Sequence, residues 1–185
     1  MDPFHVVSLA GDKLDQCRRR IQRAITGRRG RAGDRLYRAR RTLLTGAGLL
    51  TDAQVGRLET LFADDRHAAV QASWGVYQRL IQAYRAEDPG LGKYLMQRLI
   101  DSLRQAVPNG LEEIQTLART LTERASDTPG LLRPPPYLQQ PHARPSTGAW
   151  STYAASPWAL RNLASYTIRS LIHTGRLKDH LKATT

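Results

Sequence analysis

Between Arg18 and Arg41 the chain carries eleven arginines (Arg18, Arg19, Arg20, Arg23, Arg28, Arg29, Arg31, Arg35, Arg38, Arg40 and Arg41) against a single acid, Asp34. A planar guanidinium can grip a phosphate through two parallel hydrogen bonds, and a dense cationic block attracts a polyanion and releases its condensed counterions. The chemistry on offer is recognition of a nucleic-acid backbone. A solvated charged face is the plain alternative, and the density of the block weighs against it. On the sequence alone, replacing Arg18, Arg19, Arg20 and Arg23 with alanine is expected to weaken the salt dependence of binding without unfolding the chain.

Other chemistry-bearing residues form weaker patterns. Asp2 and His5 are spaced to approach one metal ion, but two ligands fall short of the usual site, and His67, His142, His173 and His180 are scattered. A local structural hydrogen bond is the better account of that pair, and no metal-ligating residues are assigned. The Gly27, Gly30, Gly33 segment resembles no nucleotide-binding fingerprint and follows no strand, so it reads as a basic turn that touches phosphates. Trp74, Tyr77 and Tyr84 can stack on bases in principle, yet their helical spacing points to core packing. Nothing arranges Ser, His, Asp or Cys as a nucleophilic triad.

The elements that must position the arginines are helical. Leu14, Cys17, Ile21 and Ile25 form one stripe, and Leu36, Leu43 and Leu44 belong to a second helix beyond the glycine turn. Thr51 and Gln54 predict a capping box ahead of Val55, Leu58, Leu61 and Phe62. Val70, Trp74, Tyr77, Ile81 and Tyr84 follow, then Leu95, Leu99, Leu103 and Val107, and last Leu111, Ile114, Leu117 and Leu121, with breaks at Asp88-Pro89-Gly90 and Pro108-Asn109-Gly110. Five or six helices are expected between Leu9 and Ala125. Residues 128–157 hold seven of the ten prolines and no periodicity, which predicts an irregular loop. Trp158 to Thr174 reads as a final helix, followed by a basic tail.

Composition sets the outer bounds. The formal charge is +12 over 185 residues, and one cysteine, Cys17, rules out a disulfide framework or a thiolate zinc site within the chain. No apolar run approaches the length of about 18 residues that a membrane helix needs, and no leader pattern opens the sequence. A cytoplasmic, nucleoid-associated protein without membrane contact is the expectation.

Three segments resemble one family in order and spacing: Asp2-Pro3-Phe4-His5-Val6-Val7-Ser8-Leu9-Ala10-Gly11-Asp12, then Gly30-Arg-Ala-Gly-Asp34-Arg-Leu36-Tyr37-Arg38-Ala-Arg40, then Arg41-Thr-Leu-Leu-Thr45. Leu160-Arg161-Asn162-Leu163-Ala164-Ser165-Tyr166 resembles the same family's closing motif. The family is that of the DDE transposases of the bacterial insertion-sequence group called ISL-three, and the resemblance covers roughly residues 1 to 127 and 159 to 178. It implies an RNase H-like catalytic core in which two aspartates and a glutamate hold two Mg²⁺ or Mn²⁺ ions for attack on a phosphodiester, with double-stranded DNA (the insertion-sequence ends) as partner.

The sequence departs from the family where catalysis is concerned. The alignment of motifs places both aspartates ahead of Met1, and the glutamate motif, close to Asn-Gly-Pro-Thr-Glu-Ala-Ile-Asn-Gly, should fall in the proline-rich segment and is not there. Back-translated and read one nucleotide earlier, Ala143 to Ala159 permits Glu-Ala-Ile-Asn-Gly-Arg-Leu-Glu-Tyr-Leu-Arg-Gly-Ile-Ala-Leu-Gly, the family's helix. A frameshifted segment is therefore expected there, against a simple linker as the alternative.

The resulting expectation is a mainly α chain: a helical fragment of an RNase H-like DDE transposase domain, with a long irregular loop before the last helix. Residues 1–127 are the helical remnant, 128–157 the loop, and 158–185 the last helix and tail. Its function is that of a transposase, reduced to a catalytically incomplete DNA-binding remnant with no catalytic residues and no bound cofactor of its own. Two alternatives stand beside it: a free-standing basic helical module that binds DNA or RNA without catalysis, and an unexpressed relic that never folds.

Overall fold

The computed structural model describes residues 3–105 and 107–127. The expected loop over 128–157, the expected helix and tail over 158–185, and Asp2 lie outside the described residues.

The apolar spacing of the N-terminal third produces one long helix, α1 (Pro3–Thr26), which buries Val6, Ala10, Leu14 and Cys17 along a single stripe. It stops at Gly27, whose φ of 67° is the left-handed conformation that only glycine adopts without steric cost; its N–H bonds back to the Arg23 carbonyl at 2.8 Å. Two short helices follow, α2 (Arg35–Arg38) and α3 (Arg40–Leu44), hinged at Ala39. Leu36 and Leu43 are their buried anchors. Leu44 departs from the expected stripe: it is 41% exposed, because it stands one residue, about 100° around the helix, from the buried Leu43.

The capping box at the start of α4 (Asp52–Phe62) is present in both halves. The Thr51 hydroxyl accepts from Gln54 N at 3.4 Å, and the Gln54 side chain accepts from Thr51 N at 2.9 Å. A short 3-10 turn then leads into α5 (Ala68–Arg85), the central helix, which buries thirteen of its residues and therefore has partners on most of its circumference. It packs against both α1 and α6 (Pro89–Gln105), and α7 (Glu112–Asp127) closes against the same two helices. Trp74, Tyr77 and Tyr84 lie in this core, at 5%, 7% and 4% exposure, with the Trp74 ring 5.5 Å from that of Phe62. They are packing residues, as their spacing predicts. Each fully buried leucine, such as Leu80 or Leu117, adds roughly 1.5–3 kcal/mol by leaving water.

The breaks are built from the residues that mark them. The Asp88 carboxylate accepts from the N–H groups of Gly90 and Leu91, both at 3.0 Å, while Pro89 opens α6 where no amide donor is needed. Gly92 allows α5 and α6 to meet closely, since a Cβ there would sit 2.8 Å from the Ala83 carbonyl oxygen. Gly110, at φ 91°, makes the turn into α7. Seven α-helices and two 3-10 turns occupy the described residues, with no strand among them. The architecture is mainly helical; the count exceeds the five or six expected because the glycine turn leads into two short helices and 3-10 turns flank α4.

Candidate nucleic-acid interface

The eleven arginines of the run divide into groups that do different work. Arg18 is buried, with its side chain 6% exposed; its guanidinium bonds Asp15 at 2.7 Å and 2.5 Å and Gln22 at 3.3 Å. Arg20 crosses from α1 to α7, where it meets Glu113 at 2.8 Å and 2.9 Å, the Gly110 carbonyl at 2.8 Å and Glu112 at 3.0 Å. Burial pushes the Glu113 carboxyl up, but the hydrogen bond and charge of Arg20, a bond from its own backbone N–H and the charge of Lys13 together outweigh this, so its pKa is held below the ordinary range. These two arginines are tied into the fold, whereas Arg23 has no acid partner among the described residues.

The loop between α1 and α2 is organised by the run's one acid. Asp34 stands at the N-cap position of α2 but turns back toward the loop, where its carboxylate accepts from Arg31 N at 2.7 Å, from both terminal nitrogens of Arg28 at 3.0 Å and 3.1 Å, and from Gln22 Nε2 at 2.9 Å. The bond from the Arg31 backbone and then the Arg28 fork hold its pKa below the usual carboxylate range. Gly30 lies directly over Gln22: a Cβ at this position would fall 2.8 Å from the Gln22 amide. The glycine turn is thus a fixed scaffold that displays Arg29 and Arg31. The α2–α3 segment is fixed from the other end, because the Tyr77 hydroxyl donates to the Leu44 carbonyl at 3.1 Å and Gln78 bridges Thr45 O and Ala47 N at 3.0 Å and 2.8 Å.

What remains outward is a cationic surface. Arg23, Arg29, Arg31, Arg35, Arg38 and Arg41 are exposed and have no acid partner among the described residues. Arg19 is exposed but shares Asp15, Arg28 is held by Asp34, and Arg40 lies over the Tyr37 ring at 4.3 Å while donating to its carbonyl at 3.0 Å. One further arginine belongs with this surface and falls outside the run: Arg57 of α4 shares a groove with Arg35 and Arg38. Its isolation in the sequence hides it, since only the fold brings α4 beside α2.

The described carboxylates do not form a two-metal site. Two divalent ions about 4 Å apart require several converging carboxylates. Here Asp15 faces Arg18 and Arg19, Asp34 faces Arg28, Asp64 faces Arg66 at 2.7 Å, and Glu112 and Glu113 face Arg20. Among the described residues no three of His, Cys, Asp and Glu come together to hold a metal. Among the described residues the donor set does not fit the Mg²⁺ or Mn²⁺ pair that the family uses. Cys17 is no nucleophile either, because burial pushes its thiol up to about 11.

A helical scaffold that presents unpaired guanidiniums along one segment is the kind of surface that engages a polyanion. A family model described as a transposase matches residues 1–130, and the chain belongs to that family, the ISL-three group of DDE transposases. No curated protein and no solved structure matches the chain. No described helix is long and apolar enough to cross a membrane.

Proposed function

We propose that this chain acts as a DNA-holding element of a transposase and does not itself assemble the carboxylate site that cuts or joins strands. The observation that carries the reading is the set of six exposed arginines without acid partners among the described residues, Arg23, Arg29, Arg31, Arg35, Arg38 and Arg41, displayed on the anchored segment from the end of α1 to α3. Their guanidiniums neutralise backbone phosphates of duplex DNA, which gives affinity and register with little sequence preference. Family membership supplies the DNA partner in its general form. The engagement of Asp15, Asp34, Asp64, Glu112 and Glu113 with arginines supports the catalytically incomplete part, since each would have to abandon a structural partner to reach an ion.

The test is incubation of the whole chain with supercoiled plasmid and with labelled duplex ends in Mg²⁺ or Mn²⁺. The expected result is retention of the DNA without nicking or joining. Metal-dependent cleavage that disappears in Asp2→Ala would place a working acid in this chain and overturn the reading.

A further inference from the structure

We infer that the groove between α2–α3 and α4 is a seat for one sugar-phosphate backbone of duplex DNA. The inference deepens the function proposed above and rests on it. The groove has a volume of about 470 Å³; Arg35 and Arg38 of α2 line it from one side, and Arg57 lines it from α4 together with Ala53, Gly56 and Leu61. Arg35 and Arg38 are one turn apart on α2, so their guanidiniums share a face. All three arginines are exposed, and none has an acid partner among the described residues. No carboxylate lines the groove. Three cations that converge on a cleft free of anions repel one another until a polyanion enters, and a backbone threaded between the walls meets guanidiniums from both sides. The uncharged lining of Ala53, Gly56 and Leu61 suits the deoxyribose face of the strand, which carries no charge to solvate. Because every contact is to sugar and phosphate, the groove holds DNA of any sequence equally.

Gly56 offers a test that leaves the charge untouched. Nothing lies within 4 Å of where its Cβ would be, so Gly56→Leu projects a side chain into open space while favouring the helix it sits in. The expected result is duplex binding weakened by roughly five- to tenfold with an undiminished melting temperature. Arg57→Ala should give a similar loss and lower the log-log salt slope by about 0.9, one phosphate's share. The combined Gly56→Leu, Arg57→Ala variant should lose less than the product of the two single losses, since both act on one strand in one groove. Losses that are the same on AT-rich and GC-rich duplexes complete the expected pattern. If the parent chain binds duplex and the loop arginines matter, but Gly56→Leu and Arg57→Ala bind as the parent does, the groove assignment alone is overturned. A parent chain that does not bind duplex at all removes this inference and the proposed function together.

Discussion

Replacing Arg23, Arg29 and Arg31 together with alanine is expected to lower the salt slope of duplex binding by about 2.7, at 0.9 for each phosphate released. At about 1 kcal/mol for each charge-assisted contact, the affinity at moderate salt should fall roughly a hundredfold. The three side chains are exposed and hold no acid among the described residues, so unfolding free energy should stay within about 0.5 kcal/mol of the parent's. Anisotropy titrations at several salt concentrations, paired with thermal melts, separate the two effects. A variant that loses binding and stability together would mean that the loop arginines hold the fold rather than the DNA.

The opposite result is expected from Arg18 and Arg20. Arg18→Met removes a nearly buried guanidinium from Asp15 and Gln22, and Arg20→Met removes the bridge from α1 to Glu113, whose side chain is only 11% exposed. Arg20 itself is more than a third exposed, so its share is discounted for solvent screening. Together the two changes should cost about 2–5 kcal/mol, a large part of the roughly 5–15 kcal/mol that holds a domain folded. The loss should depend on pH. The Glu113 carboxyl has a folded pKa below its ordinary 4.5, so the stability it adds is fully present above that value and is lost as pH falls through the folded pKa. In Arg20→Met the same carboxyl is nearly buried without its cation and is protonated more readily. The gap between variant and parent, read by denaturant unfolding, should therefore narrow as pH drops below about 4.5. A gap that stays constant down to pH values near 2 would show that the bridge contributes by packing and not by charge.

That division of one arginine run was only half legible in the sequence. Asp15 lies three residues before Arg18 and four before Arg19, a spacing at which helical side chains meet, so the Arg18 pair was open to reading. Arg20 was not: its partner Glu113 is far along the chain, and a charge count has no means of seeing an interaction that depends on how α7 returns to α1. Arg57 escaped for the same reason, as a lone cation on α4 that gains meaning only when α2 stands beside it. The signals that depend on a few neighbouring residues were clear. Thr51 with Gln54, the Asp88-Pro89-Gly90 step and the α5 stripe all give the elements their spacing predicts, because caps and amphipathic periodicity act within one or two turns. Leu44 shows the limit of reading adjacent leucines as one stripe: it stands about 100° around α3 from Leu43 and stays 41% exposed while Leu43 is buried.

The central claim, that the exposed arginines of this transposase-family chain hold a DNA backbone, is tested most directly by the affinity of the whole chain for a random-sequence duplex measured across a range of salt concentrations. With Arg23, Arg29, Arg31, Arg35, Arg38 and Arg41 all in contact, these six should contribute about −5 to the log-log slope, and alanine at all six positions should remove that share and leave only about −1, the part of Arg57, while the chain remains folded. A flat slope for the parent, or a steep one that survives the six replacements, would contradict the account.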